Sequence, residues 1–238
     1  MAAEREWKPY YEPETIPFSY QRSEGRAALG QSVGARLDST PGVWRLGSPP
    51  DRPVQMYFSD NFLSAQECYG LAKQIDAGSY PSTLYEQEKY EGVRTSQSCN
   101  LNVRDPLVAE IETRIADLLG VDRALGEPLQ GQRYQPGQRF KGHVDFFYVD
   151  QPYWPEYSAH GGQRTWSAMI YLVPPARGGG TGFSLLDLEV EPRLGRILVW
   201  NNMAMDGSPN GWTLHSGEPV EKGTKYIVTK WYRERPFG

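Results

Sequence analysis

The chain contains only three histidines, and His143 stands in the run Gly142-His143-Val144-Asp145. Residues two apart on an extended strand project from the same face, so His143 and Asp145 are placed to act together. Acids fill 29 of 238 positions, so an isolated His-x-Asp is more often structural than functional. His215, in Trp212-Thr213-Leu214-His215-Ser216-Gly217, supplies a third group from a separate expected strand that a rolled sheet would bring beside the first pair. Two imidazoles and one carboxylate on one face of a metal leave its remaining positions open, the arrangement of non-haem Fe(II) oxygenases. Zinc is the main rival metal, but the His-Glu-x-x-His helix of many zinc hydrolases is absent and no Glu is evidently placed as a general base. Further on, Lys225-Tyr226-Ile227-Val228-Thr229-Lys230-Trp231-Tyr232 alternates, which puts Lys225, Ile227, Thr229 and Trp231 on one face. A lysine facing inward needs an anion, and a bound dicarboxylate would supply one; the alternative is a solvated surface lysine.

Positioning these groups requires strands, and the sequence supplies them late. After Gly126 short apolar runs alternate with Gly and Pro, giving expected strands at about 129–135, 138–146, 165–173, 183–190, 195–200, 212–217 and 224–232. Two helices precede them. Ser64-Ala65-Gln66-Glu67 reads as a capping box opening a helix over about 65–77, with Leu71, Ala72 and Ile75 at helical spacing. Asp105-Pro106 opens the second, where Val108, Ile111, Ile115, Leu118 and Leu119 form a stripe and Gly120 ends it. Helices followed by many strands predict an α+β domain whose sheet is a sandwich or jelly roll, a double-stranded β-helix, with the helices packed on one face. Residues 54–238 are assigned to this domain. Residues 1–53 hold seven of the nineteen prolines and show no sustained periodicity, so they read as an extended arm. Its Trp7, Tyr10, Tyr11, Phe18, Tyr20 and Trp44 favour docking onto the body over free disorder.

Composition narrows the partners. Length fits one core with an appended segment, and 39% hydrophobic with 23% charged residues excludes disorder throughout. A net charge of −4 offers no positive field for phosphate backbones or anionic lipid, so neither nucleic acid nor a membrane surface is expected as a partner. The first residues lack the basic and apolar regions of a secretory signal, and no long apolar run is present, so a soluble, cytoplasmic protein is expected. Cys68 and Cys99 are too few for a disulfide scaffold and are expected to be reduced.

Several runs together resemble prolyl 4-hydroxylase catalytic domains, which are Fe(II)/2-oxoglutarate dioxygenases. These are Tyr134-Gln135-Pro136-Gly137-Gln138-Arg139-Phe140-Lys141-Gly142-His143-Val144-Asp145, then Gly162-Gln163-Arg164, Gly179-Gly180-Thr181-Gly182-Phe183 and His215-Ser216-Gly217-Glu218-Pro219-Val220, followed by Lys225 and Trp231. Val93-Arg94-Thr95-Ser96 also resembles a family motif. The resemblance implies iron held by His143, Asp145 and His215, with 2-oxoglutarate and O2 as co-substrates and ascorbate as a candidate reductant. It implies that Lys225 meets the distal carboxylate of 2-oxoglutarate, with Tyr134 and Thr181 donating hydroxyl hydrogen bonds to it. It assigns Arg94, Ser96, Glu127, Arg164 and Trp231 to the substrate cleft. Phe140 stands where the family often has Tyr, Gly180 where it normally has Glu, and Arg233 where His occurs. A carboxylate at position 145 implies hydroxylation rather than halogenation. The expected substrate is proline within a protein or peptide, hydroxylated at C4. The alternatives are a hydroxylase of a free amino acid or other small molecule, and a non-catalytic peptide-binding module on the same fold. His160, beside the aromatic run Tyr153-Trp154-Pro155-Glu156-Tyr157, lacks ligand spacing and reads as a loop or lid residue.

Overall fold

A computed structural model describes residues 21–82 and 95–238. The expected helices form where their caps direct. One helix, Ala65–Gly78, is opened by a complete capping box, with Ser64 Oγ accepting from Glu67 N and the Glu67 side chain accepting from Ser64 N. The next, Pro106–Leu119, begins under Asp105, whose side chain accepts from Leu107 N and Val108 N, and stops at Gly120 in the left-handed conformation (φ 68°).

The arm differs from expectation. Glu24–Ser39 is a helix capped by Ser23, where the sequence reads as extended. Its buried residues are Gly30, Val33, Gly34 and Leu37, at the i, i+3, i+4, i+7 spacing of one helix face. Two of the four are glycine, so the face carries almost no hydrophobic signal. They are needed for close approach: a Cβ at Gly30 would lie 2.7 Å from Asn201 Nδ2, and one at Gly34 would overlap the Gln55 amide. Trp44, expected to dock, is instead 63% exposed. Trp7, Tyr10, Tyr11, Phe18 and Tyr20 lie outside the described residues. In chain order the helices are α1 (Glu24–Ser39), α2 (Ala65–Gly78), α3 (Pro106–Leu119) and α4 (Trp154–Ala159).

The strands are β1 (Trp44–Arg45), β2 (Met56–Ser59), β3 (Tyr80–Pro81), β4 (Gln97–Asn100), β5 (Gln130–Tyr134), β6 (Phe140–His143) and β7 (Arg164–Val173). They continue as β8 (Arg177–Gly178), β9 (Thr181–Phe183), β10 (Leu188–Val190), β11 (Ile197–Asn201), β12 (His215–Gly217), β13 (Val220–Lys222) and β14 (Lys225–Arg233). An eight-stranded sheet runs β1-β2-β11-β7-β14-β5-β4-β3, and a four-stranded sheet β10-β9-β12-β6 faces it; β8 and β13 pair separately. All pairings are antiparallel. This is the jelly roll expected from the order of elements. Period 2 along β7 divides the interior in two. Trp166, Ala168, Ile170 and Leu172 join the core shared with α1, α2 and α3, while Met169 and Tyr171 join the core between the sheets. The site occupies one end of that second layer.

Three expected strands are clearly shorter than the sequence implies. Of the 138–146 run only Phe140–His143 is strand, so Asp145 falls just outside the strand expected to carry it with His143. The 183–190 run is broken by a 3-10 turn at Ser184–Leu186 that ends on Asp187 with φ 51°, and strand β12 begins only at His215, after a 3-10 turn at Gly211–Thr213. The aromatic loop before His160 contains the short helix α4, with Pro155 in its first turn.

Candidate active site

β6 and β12 pair with His143 directly opposite His215. Ring centroids are 4.2 Å apart. Strand β6 ends at His143, so Asp145 lies just beyond it, yet its carboxylate still reaches the same point: Oδ1 is 3.8 Å from His143 Nε2 and Oδ2 is 3.9 Å from His215 Nε2. One ligand atom from each of the three residues falls within 4.8 Å of the others.

Local contacts fix how these groups point. His143 Nδ1 lies 2.9 Å from Lys141 O, and His215 Nδ1 lies 2.9 Å from Thr213 O. A carbonyl can only accept, so the hydrogen-bond network assigns the proton to Nδ1 and leaves both Nε2 lone pairs facing the carboxylate. Phe140 stacks on His143 at 3.7 Å, and Trp200 meets His215 edge-on at 4.8 Å. Burial would raise the Asp145 carboxyl, but His215, His143 and Arg164 together with the Ser167 hydroxyl outweigh it and hold the group below its ordinary range. Two oriented imidazole nitrogens and one buried carboxylate fit Fe(II) with open coordination positions.

The same cavity is lined by Tyr134, Thr181, Lys225 and Trp231. Ile227 and Thr229 line it too, so the alternating face expected of β14 is the face that forms. Lys225 is 1% exposed, and among the described residues no carboxylate lies within ion-pairing distance of it. Its Nζ lies between the rings of Tyr134 and Tyr171, at 5.2 and 5.5 Å from their centroids. Burial pulls the amine down from 10.5 to about 7, against the opposing pull of Glu218 and Glu189. A confined cation facing a cavity without a protein anion fits the far carboxylate of a dicarboxylate. Tyr134 Oη donates to Gln132 Oε1 (2.6 Å), and Thr181 Oγ1 lies 2.6 Å from Tyr171 Oη, so the two hydroxyls flanking Lys225 are oriented by neighbours. The Glu189 carboxylate fills the space beside Gly180, where an added side chain would collide with it.

The remaining sequence-derived residues are placed differently. Ser96, Glu127 and Arg164 do not line this cavity. Ser96 is buried, its hydroxyl 2.9 Å from that of Ser82, and Arg94 lies outside the described residues. Glu127 is buried in a charge network: its carboxylate accepts from Arg164 Nε and Nη2 at 2.6 and 2.7 Å, and Arg233 Nε lies 2.6 Å from Oε1. That pairing lays the Arg164 guanidinium over the Trp231 ring (4.0 Å) and the Phe147 ring (5.0 Å). Trp231 is thus the member of the cleft set that reaches both the cavity and Arg164. Gln132, Ser167 and Asn202 also belong to the site's surroundings and carry no motif in the sequence. The available signal was a polar residue on the inward phase of an otherwise apolar strand, as with Ser167 in Arg164–Val173.

The fold and the site define an Fe(II)- and 2-oxoglutarate-dependent dioxygenase, and the 2OG-Fe(II) oxygenase superfamily matches residues 129–233. Probable prolyl 4-hydroxylase 3 of Arabidopsis thaliana is 33% identical over 195 residues, covering 72% of this chain, which spans 66% of that relative's length. A putative prolyl 4-hydroxylase of Acanthamoeba polyphaga mimivirus is 32% identical over 193 residues, covering 81% of this chain and 78% of that protein. Among solved structures, the viral collagen prolyl hydroxylase of Paramecium bursaria Chlorella virus-1 in its 2OG complex superposes with a TM-score of 0.57 at 25% identity, covering 74% of this chain and 94% of that one. The chain belongs to the prolyl 4-hydroxylase-like family of these oxygenases. Its cofactor is Fe(II), and its co-substrates are 2-oxoglutarate and O2.

Proposed function

We propose that the protein hydroxylates proline within a peptide at C4, converting 2-oxoglutarate and O2 to succinate and CO2. The observation that carries this reading is one cavity lined by His143, Asp145, His215, Lys225 and Trp231, with the Arg164 guanidinium stacked on the Trp231 ring. The names of the curated relatives support proline as the target.

In this reading His143 Nε2, His215 Nε2 and the Asp145 carboxylate hold the metal, which when bound supplies the O2 activation that no side chain can perform. Lys225 Nζ pairs with the distal carboxylate of 2-oxoglutarate, and the Tyr134 and Thr181 hydroxyls donate to it by turning from their present partners. Phe140 and Trp200 pack against the two imidazoles and keep water from their outer faces. Trp231 offers a flat ring to the proline, while Arg164, fixed by Glu127, presents guanidinium donors to backbone carbonyls of an extended peptide. Glu127, buried and paired with Arg164, supports this wall rather than touching the peptide.

The test is a panel of Pro-containing peptides against free L-proline, with iron-loaded protein and ascorbate as reductant. Peptide-dependent succinate release above the rate with free proline is expected. Efficient turnover of free proline alongside mere background with every peptide would overturn the reading.

A further inference from the structure

The three groups of the triad are not held in the same way. His143 and His215 take their orientation from carbonyls two residues earlier in the chain, contacts any residue at 141 or 213 would supply. The Asp145 carboxylate is held by a side chain distant in the chain: Ser167 Oγ, in β7, donates to Asp145 Oδ2 at 2.6 Å. Asn202, just past β11, donates in turn from Nδ2 to Ser167 Oγ at 2.9 Å. Ser167 and Asn202 are both fully buried.

The direction of this relay is determined by its ends. An ionised carboxylate only accepts, so the single hydroxyl proton of Ser167 is committed to Asp145, and the serine oxygen is left to accept from the amide. The chain therefore runs Asn202 to Ser167 to Asp145. The carboxyl torsion of Asp is broad and nearly two-fold, so nothing intrinsic to the residue chooses a rotation. Ser167 binds Oδ2, the oxygen facing His215, and thereby turns Oδ1 toward His143.

We propose that Ser167, anchored by Asn202, is a positioning residue for the metal site: it sets the rotation of the Asp145 carboxylate and with it the affinity and geometry of the bound metal. This rests on the Fe(II) reading of the triad. Hydrogen-bond partners of metal ligands typically change metal affinity by about 10–100-fold when removed.

The experiment titrates the purified full chain anaerobically with Co(II), reading its visible d–d absorption, and compares wild type with Ser167→Ala, Ser167→Thr and His143→Ala. Ser167→Ala should bind Co(II) about tenfold or more weakly, with a changed d–d spectrum. Ser167→Thr, which keeps the hydroxyl, should bind as the wild type does. Wild-type affinity and spectrum in Ser167→Ala would overturn the proposal, and equal losses in the Ala and Thr variants would assign the effect to packing and overturn it too. Should Ser167→Ala fail to fold, Asn202→Ala carries the test, since it leaves the serine in place and removes its anchor; unchanged affinity and spectrum there would refute the relay. Wild-type protein that binds Co(II) no better than His143→Ala would sink the triad reading itself, a result distinct from failure of the relay alone.

Discussion

Replacing Lys225 by methionine removes the charge while keeping nearly the length of the side chain. The amine is pulled from 10.5 to about 7 by burial, which corresponds to ~5 kcal/mol spent on carrying the cation in the unliganded cavity. The unfolded chain binds this proton more tightly than the folded one between pH 7 and 10.5, so stability without 2-oxoglutarate rises with pH across that window, and the full penalty is present below pH 7. A bound dicarboxylate reverses the preference, because it pairs with the protonated amine. Affinity for 2-oxoglutarate should therefore fall as pH rises above about 7, by at most tenfold per pH unit. In Lys225→Met the dianion loses its buried cation, a loss of about 2–5 kcal/mol or roughly thirtyfold and more in Kd. The unliganded variant should melt higher than wild type near pH 7 and show a smaller rise of its melting point between pH 7 and 10.5. Mn(II) binding should survive, since Lys225 is no ligand. Calorimetric titration of the Mn(II)-loaded proteins with 2-oxoglutarate under anaerobic conditions, between about pH 7 and 9, reads the affinities, a separate Mn(II) titration reads metal binding, and scanning calorimetry of the unliganded proteins reads the melting. An unchanged constant in the variant, or a wild-type constant indifferent to pH, would refute the reasoning.

His143→Ala or His215→Ala should abolish iron binding, measured as metal content after anaerobic reconstitution; normal content in both would remove the triad from the account. Glu127→Gln leaves the Arg164 and Arg233 guanidinium groups without their shared carboxylate, an effect of about 3–5 kcal/mol for a broken buried pair, so the thermal midpoint should drop clearly. An unmoved midpoint would show that solvent already screens the network. Trp231→Ala should raise the peptide KM while leaving Co(II) affinity intact, and an unaltered KM would exclude the indole from the substrate wall.

The caps and the His143-x-Asp145 pair were legible because their signals are local, and His215 joined them because the chain has only three histidines. Ser64 with Glu67, and Asp105 with Pro106 and Gly120, specify helix ends within a few residues, and the alternation from Lys225 to Trp231 alone puts four side chains on the cavity face. What escaped is non-local or nearly silent. The buried face of α1 is half glycine, so the chemistry that makes it pack erases the periodicity that would reveal it. Strands β1, β3 and β8 have two residues each, too short for any alternation to register. Arg233 was legible only as a residue standing where the family has His, yet it is buried against Glu127, more than a hundred positions earlier in the chain. The orientation of Asp145 likewise depends on Ser167 and Asn202, whose approach only the closed roll creates.

The central claim is that this cavity couples 2-oxoglutarate decarboxylation to hydroxylation of a peptidyl proline. Its most direct test is to incubate the iron-loaded protein with 2-oxoglutarate, O2, ascorbate and a Pro-rich peptide, then to quantify succinate and hydroxyproline in the same sample. One hydroxyproline per succinate is expected, carried at C4 of a residue within the peptide and absent from His143→Ala. Succinate formed at the same rate with and without peptide, with no hydroxyproline in the product, would contradict it.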